Sequence, residues 1–324
     1  MAATPQHPAS DTMSRQRSSG DLLADRRFAY AEACLAEGEA GAAAEMAEQA
    51  IEIAPRYAPA WFLLGRAREA LFLASNEPAA EEAARAAYAK ALDIDPDDAL
   101  GARLHLADLG TGDALAAITP DYVRALFDGY AARFERHLVD DLHYRGPELI
   151  IEALDALRDA RPRFETALDL GCGTGLMGRA LAGRVGSLTG VDLSPEMLAF
   201  ARRSGLYARL CEGELTVFLA EEPPESADLA IAADVLIYLP DLTSVFSAIG
   251  RVLQPGALAA VSIQSHDGDG VVLGPDGRYA HGDAHLCEAV RRAGLDVAFL
   301  SQAAVRRQRG RDVPGRIAVL RKPV

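Results

Sequence analysis

The stretch Ala167–Leu168–Asp169–Leu170–Gly171–Cys172–Gly173–Thr174–Gly175 constrains this chain more than any other. An apolar run of strand character meets three glycines at alternate positions, and a helical segment opens near Leu176. Glycine adopts backbone angles that other residues resist and leaves bare main chain against which a ligand can lie. The helix that follows presents unpaired N–H groups and a positive dipole end, suited to a carboxylate or a phosphate. From Glu165 onward, short apolar runs alternate with helical segments, the pattern of βαβ units and a parallel sheet. Strands are expected over 166–170, 187–192, 207–211, 227–233, 257–264, 296–303 and 315–321. No helix separates the last two, which predicts an antiparallel hairpin at one sheet edge.

Two ligand classes fit the glycine turn. Gly173, Gly175 and Gly178 satisfy a dinucleotide pattern, and Asp192 lies 19 residues beyond Gly173. Asp169, two residues before the first glycine, points elsewhere: D-x-G-x-G-x-G resembles the signature of class I S-adenosylmethionine-dependent methyltransferases. Thr189–Gly190–Val191–Asp192–Leu193–Ser194–Pro195–Glu196–Met197 is similar to that family's second motif. The resemblance spans roughly 165–265. It implies a Rossmann-like seven-stranded α/β domain whose cofactor is S-adenosyl-L-methionine.

The resemblance also assigns residues. Gly171, Gly173 and Gly175 would face the amino-acid end of the cofactor, with Asp169 serving its ammonium group. Asp192 would accept hydrogen bonds from both ribose hydroxyls, beside Leu193. Glu214, or Glu212, would reach the adenine amino group next to Leu215. Asp234 and Tyr238 fall at the end of the fourth strand, where cofactor and acceptor meet. Independently of the resemblance, Ser194 is placed to cap the next helix, with Pro195 at its first position.

Residues 21–118 carry no convincing strand and are rich in Ala and Glu at helical spacing. A helix ending near Gly38 is followed by AAAEMAEQAIEIAP, closing at Pro55; APAWFLLGRAREAL is followed by EEAARAAYAKALDIDP, closing at Pro96. With Trp61, Leu64, Gly65, Ala91 and Pro96 in place, this resembles the tetratricopeptide repeat (TPR). The closing prolines lie 41 residues apart, so a lengthened turn is expected at SNEP, 75–78, with 99–110 as a capping helix. The chain thus reads as a polar, disordered leader (1–20), a small all-α TPR-like domain (21–118) and a methyltransferase domain (119–324). Within the last, 119–160 is a helical lid and 165–324 the core.

Three segments could cover the ligand edge. Tyr130, Phe134 and His137 fall on one helical face, as an aromatic lid does. YAARFERHL with Leu142–His143–Tyr144 resembles a bacterial group of methyltransferases that carry TPR repeats. A glycine-rich loop follows the fifth strand and contains Arg278, Tyr279 and His281; Gln264 stands where that group commonly has an acid. The third is an arginine-rich loop from Arg306 to Arg316, also containing Arg307, Arg309 and Arg311. Of the lid, Tyr130 is a cofactor-side candidate; Phe134, His137, Arg278, Tyr279 and Arg306 are the acceptor-side candidates. His281 and Tyr238 are the candidate bases.

Composition sets outer bounds. Net charge is −14, from 33 Lys and Arg against 47 Asp and Glu, which repels phosphate backbones and argues against nucleic acid as partner. Nothing in the chain suits a membrane span. Four distant cysteines form no CxxC pair, as expected of a reduced cytoplasmic protein. No resident metal is expected. The function implied is methylation of a small-molecule carboxylate or hydroxyl. The alternatives are a protein or carrier-bound acyl acceptor recruited through the TPR-like domain, and a non-enzymatic adaptor.

Overall fold

The computed structural model describes residues 18–136, 144–308 and 310–324, with the backbone alone over 132–136. Residues 1–17 of the expected leader, together with His137, Leu142, His143 and Arg309, lie outside the described residues. The chain divides into two compact units. One ends at Gly129 and takes in Pro275–Gly277; the other comprises Tyr130–Gly274 and Arg278–Val324.

The first unit is helical: α1 (Leu22–Ala36), α2 (Ala40–Ile53), α3 (Ala58–Ser75), α4 (Pro78–Ile94) and α5 (Ala102–Asp108). The Asp21 carboxylate caps α1 by accepting from the N–H groups of Leu23 and Ala24. Each helix from α1 to α4 packs on its successor. Gly65 is explained by close approach, because a Cβ there would lie 2.6 Å from the ring of the fully buried Tyr88. The lengthened turn at 75–78 does not form. Asn76 ends α3 in the left-handed conformation and Pro78 starts α4 at once, so the extra residues lengthen the helices instead.

Next comes α6 (Pro120–Arg136), its start capped by the Thr119 hydroxyl, which accepts from Tyr122 N–H. The sheet unit then runs α7 (Gly146–Asp155), β1 (Phe164–Leu170), α8 (Leu176–Ala180), β2 (Val185–Asp192), α9 (Pro195–Arg203) and β3 (Arg209–Glu212). It continues α10 (Leu215–Glu221), β4 (Ala227–Ala232), α11 (Leu242–Val252), β5 (Leu253–Ser265), β6 (Val271–Leu273) and β7 (Tyr279–His281). It ends α12 (Asp283–Arg292), β8 (Asp296–Gln308) and β9 (Arg311–Arg321). The strands β3-β2-β1-β4-β5 are parallel neighbours. Antiparallel β9 adds to β5 and β8 to β9, giving the expected hairpin.

Two features differ from expectation. The segment after β5 is not a plain loop: β6 and β7 pair antiparallel, and β7 joins the end of β5 through Gln264↔Ala280 and Ser265↔His281. The arginine segment is also mostly strand, because β8 and β9 pair as far as Gln308↔Arg311.

Alternation along the strands splits the core across the sheet. Val261 and Ile263 pack with Phe246, Ile249 and Leu286 on one face; Leu258, Ala260, Ile317 and Val319 pack with Ile150 and Leu181 on the other. Each such large side chain contributes about 1.5–3 kcal/mol when fully buried. That two-sided packing fixes the carboxyl edge of β1, β2 and β4.

Candidate functional site

Where β1 ends, Gly171, Gly173 and Gly175 take φ values of 72°, 52° and 90°, the left-handed region where a side chain is strained. Gly171 also meets the exit of β4: a Cβ there would lie 2.6 Å from Val235 Cγ2. The Thr174 hydroxyl, inside this loop, is buried and has no hydrogen-bond partner among the described residues.

Asp192 terminates β2 and ties that strand to the loop. Its Oδ2 accepts from Gly173 N–H at 2.8 Å and its Oδ1 from Ser194 N–H at 2.9 Å. Leu193 follows, half-buried. Ser194 caps α9 by accepting from Met197 N–H, with Pro195 at the first position, as the sequence indicates.

Asp169 lies lower, 1% exposed, and its Oδ2 accepts from the Tyr207 hydroxyl at 2.6 Å. Burial pushes its carboxyl up to about 7; the Tyr207 hydrogen bond opposes this and the Asp192 charge adds to it. Burial likewise raises the Cys172 thiol well above its ordinary value.

Glu214 caps α10, accepting from Thr216 N–H and Val217 N–H at 2.9 and 3.0 Å through one oxygen, Oε2. Its neighbour Leu215 is buried, whereas Glu212 is exposed at the end of β3.

At the exit of β4, Asp234 takes φ 58°, a conformation rare for a residue with a side chain and concentrated at functional sites. Its N–H donates to Ser262 Oγ at 2.7 Å. Its Oδ1 accepts from Arg306 Nη1 at 2.8 Å, and Arg306 Nη2 donates to Gln264 Oε1 at 2.6 Å. Arg306 is only 3% exposed, so the expected loop cation is instead an internal ion pair. The cause is a bulge: register shifts between Ala304 and Arg307, and Val305 and Arg306 are buried in succession. Arg316 is also internal, donating to Ser265 Oγ and Asp283. Arg307 and Arg311 are exposed.

In the 3₁₀ turn Leu236–Tyr238, the Tyr238 ring is mostly buried, with the Arg278 guanidinium 6.0 Å from its centre. Tyr279 and His281 sit in β7 at 0% exposure. Among the described residues the His281 ring nitrogens have no partner at full hydrogen-bond geometry, although the carbonyls of Leu236 and Leu239 lie close. Burial and then the neighbouring His285 lower His281 to about 4. These two imidazoles stack nearly parallel, 15° apart, so their lone pairs do not converge on one point. Among the described residues no group of three or more His, Cys, Asp or Glu could hold a metal ion.

Of the lid stripe, Tyr130 is half-buried on α6, whereas the Phe134 side chain and His137 lie outside what is described. Sequence reasoning missed Tyr207, placed at a strand start, and the Ser262–Asp234–Arg306–Gln264 chain. It quoted Tyr144 without assigning it a place in the site. Tyr144 is raised above its ordinary value by burial and by the charges of Asp234 and Asp169. The one available signal for Arg306 was its position in a run of strand-compatible residues.

Residues 167–256 match the family model described as a methyltransferase domain. A ubiquinone biosynthesis O-methyltransferase of Pseudomonas paraeruginosa is 34% identical over 101 residues, 30% of this chain and 44% of that protein. One from Xanthomonas oryzae is 32% identical over 120 residues, 34% of this chain and 50% of that protein. The chain therefore spans about half the length of the curated relatives it matches. Among solved structures, a phosphoethanolamine N-methyltransferase of Haemonchus contortus, in complex with S-adenosylhomocysteine, aligns with a TM-score of 0.50 and 16% identity. The alignment covers 63% of this chain and 59% of that one. The sheet unit thus has the mixed α/β, Rossmann-like methyltransferase fold.

Proposed function

We propose that this chain is an S-adenosyl-L-methionine-dependent methyltransferase that transfers the methyl group to an oxygen of a small-molecule carboxylate or hydroxyl. The observation that carries the reading is the Asp192 carboxylate, held by the amides of Gly173 and Ser194 where two strand ends meet a glycine loop. The curated relatives named above, both O-methyltransferases, support oxygen as the acceptor atom.

The bound cofactor supplies an activated sulfonium methyl, so the protein mainly supplies binding and alignment. In this reading Asp192 grips the ribose hydroxyls. Leu193 and Leu215 flank the adenine, and the free oxygen of Glu214 accepts from its amino group. Gly171, Gly173 and Gly175 admit the amino-acid end, the orphan Thr174 hydroxyl gains a partner there, and Asp169 faces the ammonium. Asp234, locked by Arg306 and Ser262, lines the boundary between cofactor and acceptor.

Tyr130 of the lid lies over the cofactor in this reading, and on the acceptor side we place Phe134 and His137 with Tyr238, Arg278 and Tyr279. Arg306 acts there through Asp234. A carboxylate acceptor needs cations and no base; a hydroxyl acceptor would give its proton to Tyr238 or His281. His281 is uncharged at neutral pH, with the carbonyls of Leu236 and Leu239 close to its ring.

The paired helices α1–α4, with Gly65 against Tyr88, support a TPR-like domain that could recruit a protein partner or a carrier-bound acceptor. No described helix is long and apolar enough to cross a membrane, and Cys34, Cys172, Cys211 and Cys287 are unpaired, which suits a cytoplasmic setting. Calorimetric titration with S-adenosylhomocysteine and with NAD tests the reading. Binding of the first and not the second is expected; the reverse would replace the methyltransferase by a nicotinamide enzyme.

A further inference from the structure

Tyr207 lies just ahead of β3 and is assigned nothing by the cofactor reading, yet three glycines make room for it. A Cβ on Gly178 would stand 2.7 Å from its hydroxyl, one on Gly190 2.9 Å from Cδ1 and one on Gly175 3.2 Å from Cε2. Two of these glycines belong to the loop and α8, the third to β2. The ring therefore occupies a socket formed by glycines from three elements, directly beside the loop. At the end of the ring, the hydroxyl donates to Asp169 Oδ2 at 2.6 Å, while the Gly178 amide N–H faces the same hydroxyl. An apolar ring would fill the socket equally well. The hydroxyl is needed only for its contact with the buried carboxylate.

We infer that Tyr207 is a positioning residue for cofactor binding: it holds the Asp169 carboxylate ionised and aimed so that it can pair with a cationic amino-acid head group. The inference rests on the proposed cofactor reading and adds to it a residue that acts through Asp169. The physical reason is the depth of that carboxylate. Water cannot stabilise its charge at 1% exposure, so a fixed donor must. The titratable groups facing Asp169 are Tyr207 ahead of β3, Asp192 at the end of β2, Cys172 in the loop and Tyr144 ahead of α7. Of these, Tyr207 donates to it, whereas the Asp192 charge disfavours its ionised form. With Asp169 near 7 in the native protein, removing the donor moves its titration upward.

The test is titration of full-length wild type, Tyr207→Phe and Asp169→Asn with S-adenosylhomocysteine at pH 7 and pH 9. Tyr207→Phe keeps the ring in its socket. If losing the donor raises Asp169 by about one unit, affinity falls about fivefold at pH 7 and stays within about twofold of wild type at pH 9. Asp169→Asn should bind weakly at both pH values, and adding Tyr207→Phe to it should cost little more. Equal affinity of Tyr207→Phe and wild type at pH 7 would overturn the inference, as would a loss of the same size at both pH values. Should Tyr207→Phe fail to fold, Asp169→Asn decides alone: wild-type affinity with wild-type pH dependence overturns it. Wild type that binds no S-adenosylhomocysteine at either pH overturns the cofactor reading itself, a distinct outcome.

Discussion

Replacing Arg306 by methionine isolates the internal ion pair at the exit of β4. Methionine keeps most of the volume and strand compatibility but removes the hydrogen bonds to Asp234 at 2.8 Å and to Gln264 at 2.6 Å. The side chains of Arg306 and Asp234 are 3% and 17% exposed, so neither charge is relieved by bulk water. Removing one partner of such a pair leaves an uncompensated buried charge, typically at a cost of about 3–5 kcal/mol. Residual access of solvent to Asp234 places the expectation near the lower bound, about 3 kcal/mol. With a urea m-value of about 2 kcal/mol/M, the midpoint of unfolding followed by circular dichroism should drop by roughly 1.5 M. Asp234→Asn in the same background removes the stranded charge, and the double variant should recover more than half of the loss. A drop below about 0.3 M would refute the reasoning, as would a double variant no more stable than Arg306→Met, because either result would mean that no charge had been stranded.

Two further outcomes follow from buried groups. His281 titrates near 4 in the native protein and near 6.5 when unfolded, so the unfolded chain binds the extra proton first as pH falls. Stability should therefore decline between about pH 6.5 and 4 by about 3 kcal/mol, and denaturation of His281→Leu across that window should show a shallower slope. An unchanged slope would remove His281 as its source. Gly190→Ala would put a methyl group 2.9 Å from each of Cys172 Sγ, Leu210 Cδ2 and Tyr207 Cδ1. It should destabilise by about 1–3 kcal/mol in urea titration and weaken cofactor binding by displacing Tyr207.

Where local structure depends on neighbouring residues, the sequence was readable. The glycines after β1, the acid ending β2 and the Ser194–Pro195 helix start each act through their immediate neighbours, and each stands where its spacing implied. The antiparallel end of the sheet was also legible, because no helix intervenes between its strands. Long-range pairing was not. Nothing near Arg306 announces that a bulge turns it toward Asp234, 72 positions away. Tyr207 and Asp169 lie 38 positions apart, and the glycines that admit the ring look alike whether they serve a ligand or a neighbour. The β6–β7 hairpin was hidden because three-residue strands carry too short an alternation to stand out among Gly and Asp.

Asp192 bears most directly on whether this edge holds a nucleoside with two free ribose hydroxyls. Titrating S-adenosylhomocysteine into wild type, Asp192→Asn and Asp192→Ala, with circular dichroism confirming that each folds, weighs that carboxylate alone. Losing two hydrogen bonds to a charged group, at about 1.5–3 kcal/mol each, should weaken Asp192→Ala by a hundredfold or more, with Asp192→Asn between the two. Affinity within twofold of wild type in a folded Asp192→Ala protein would contradict the site described here.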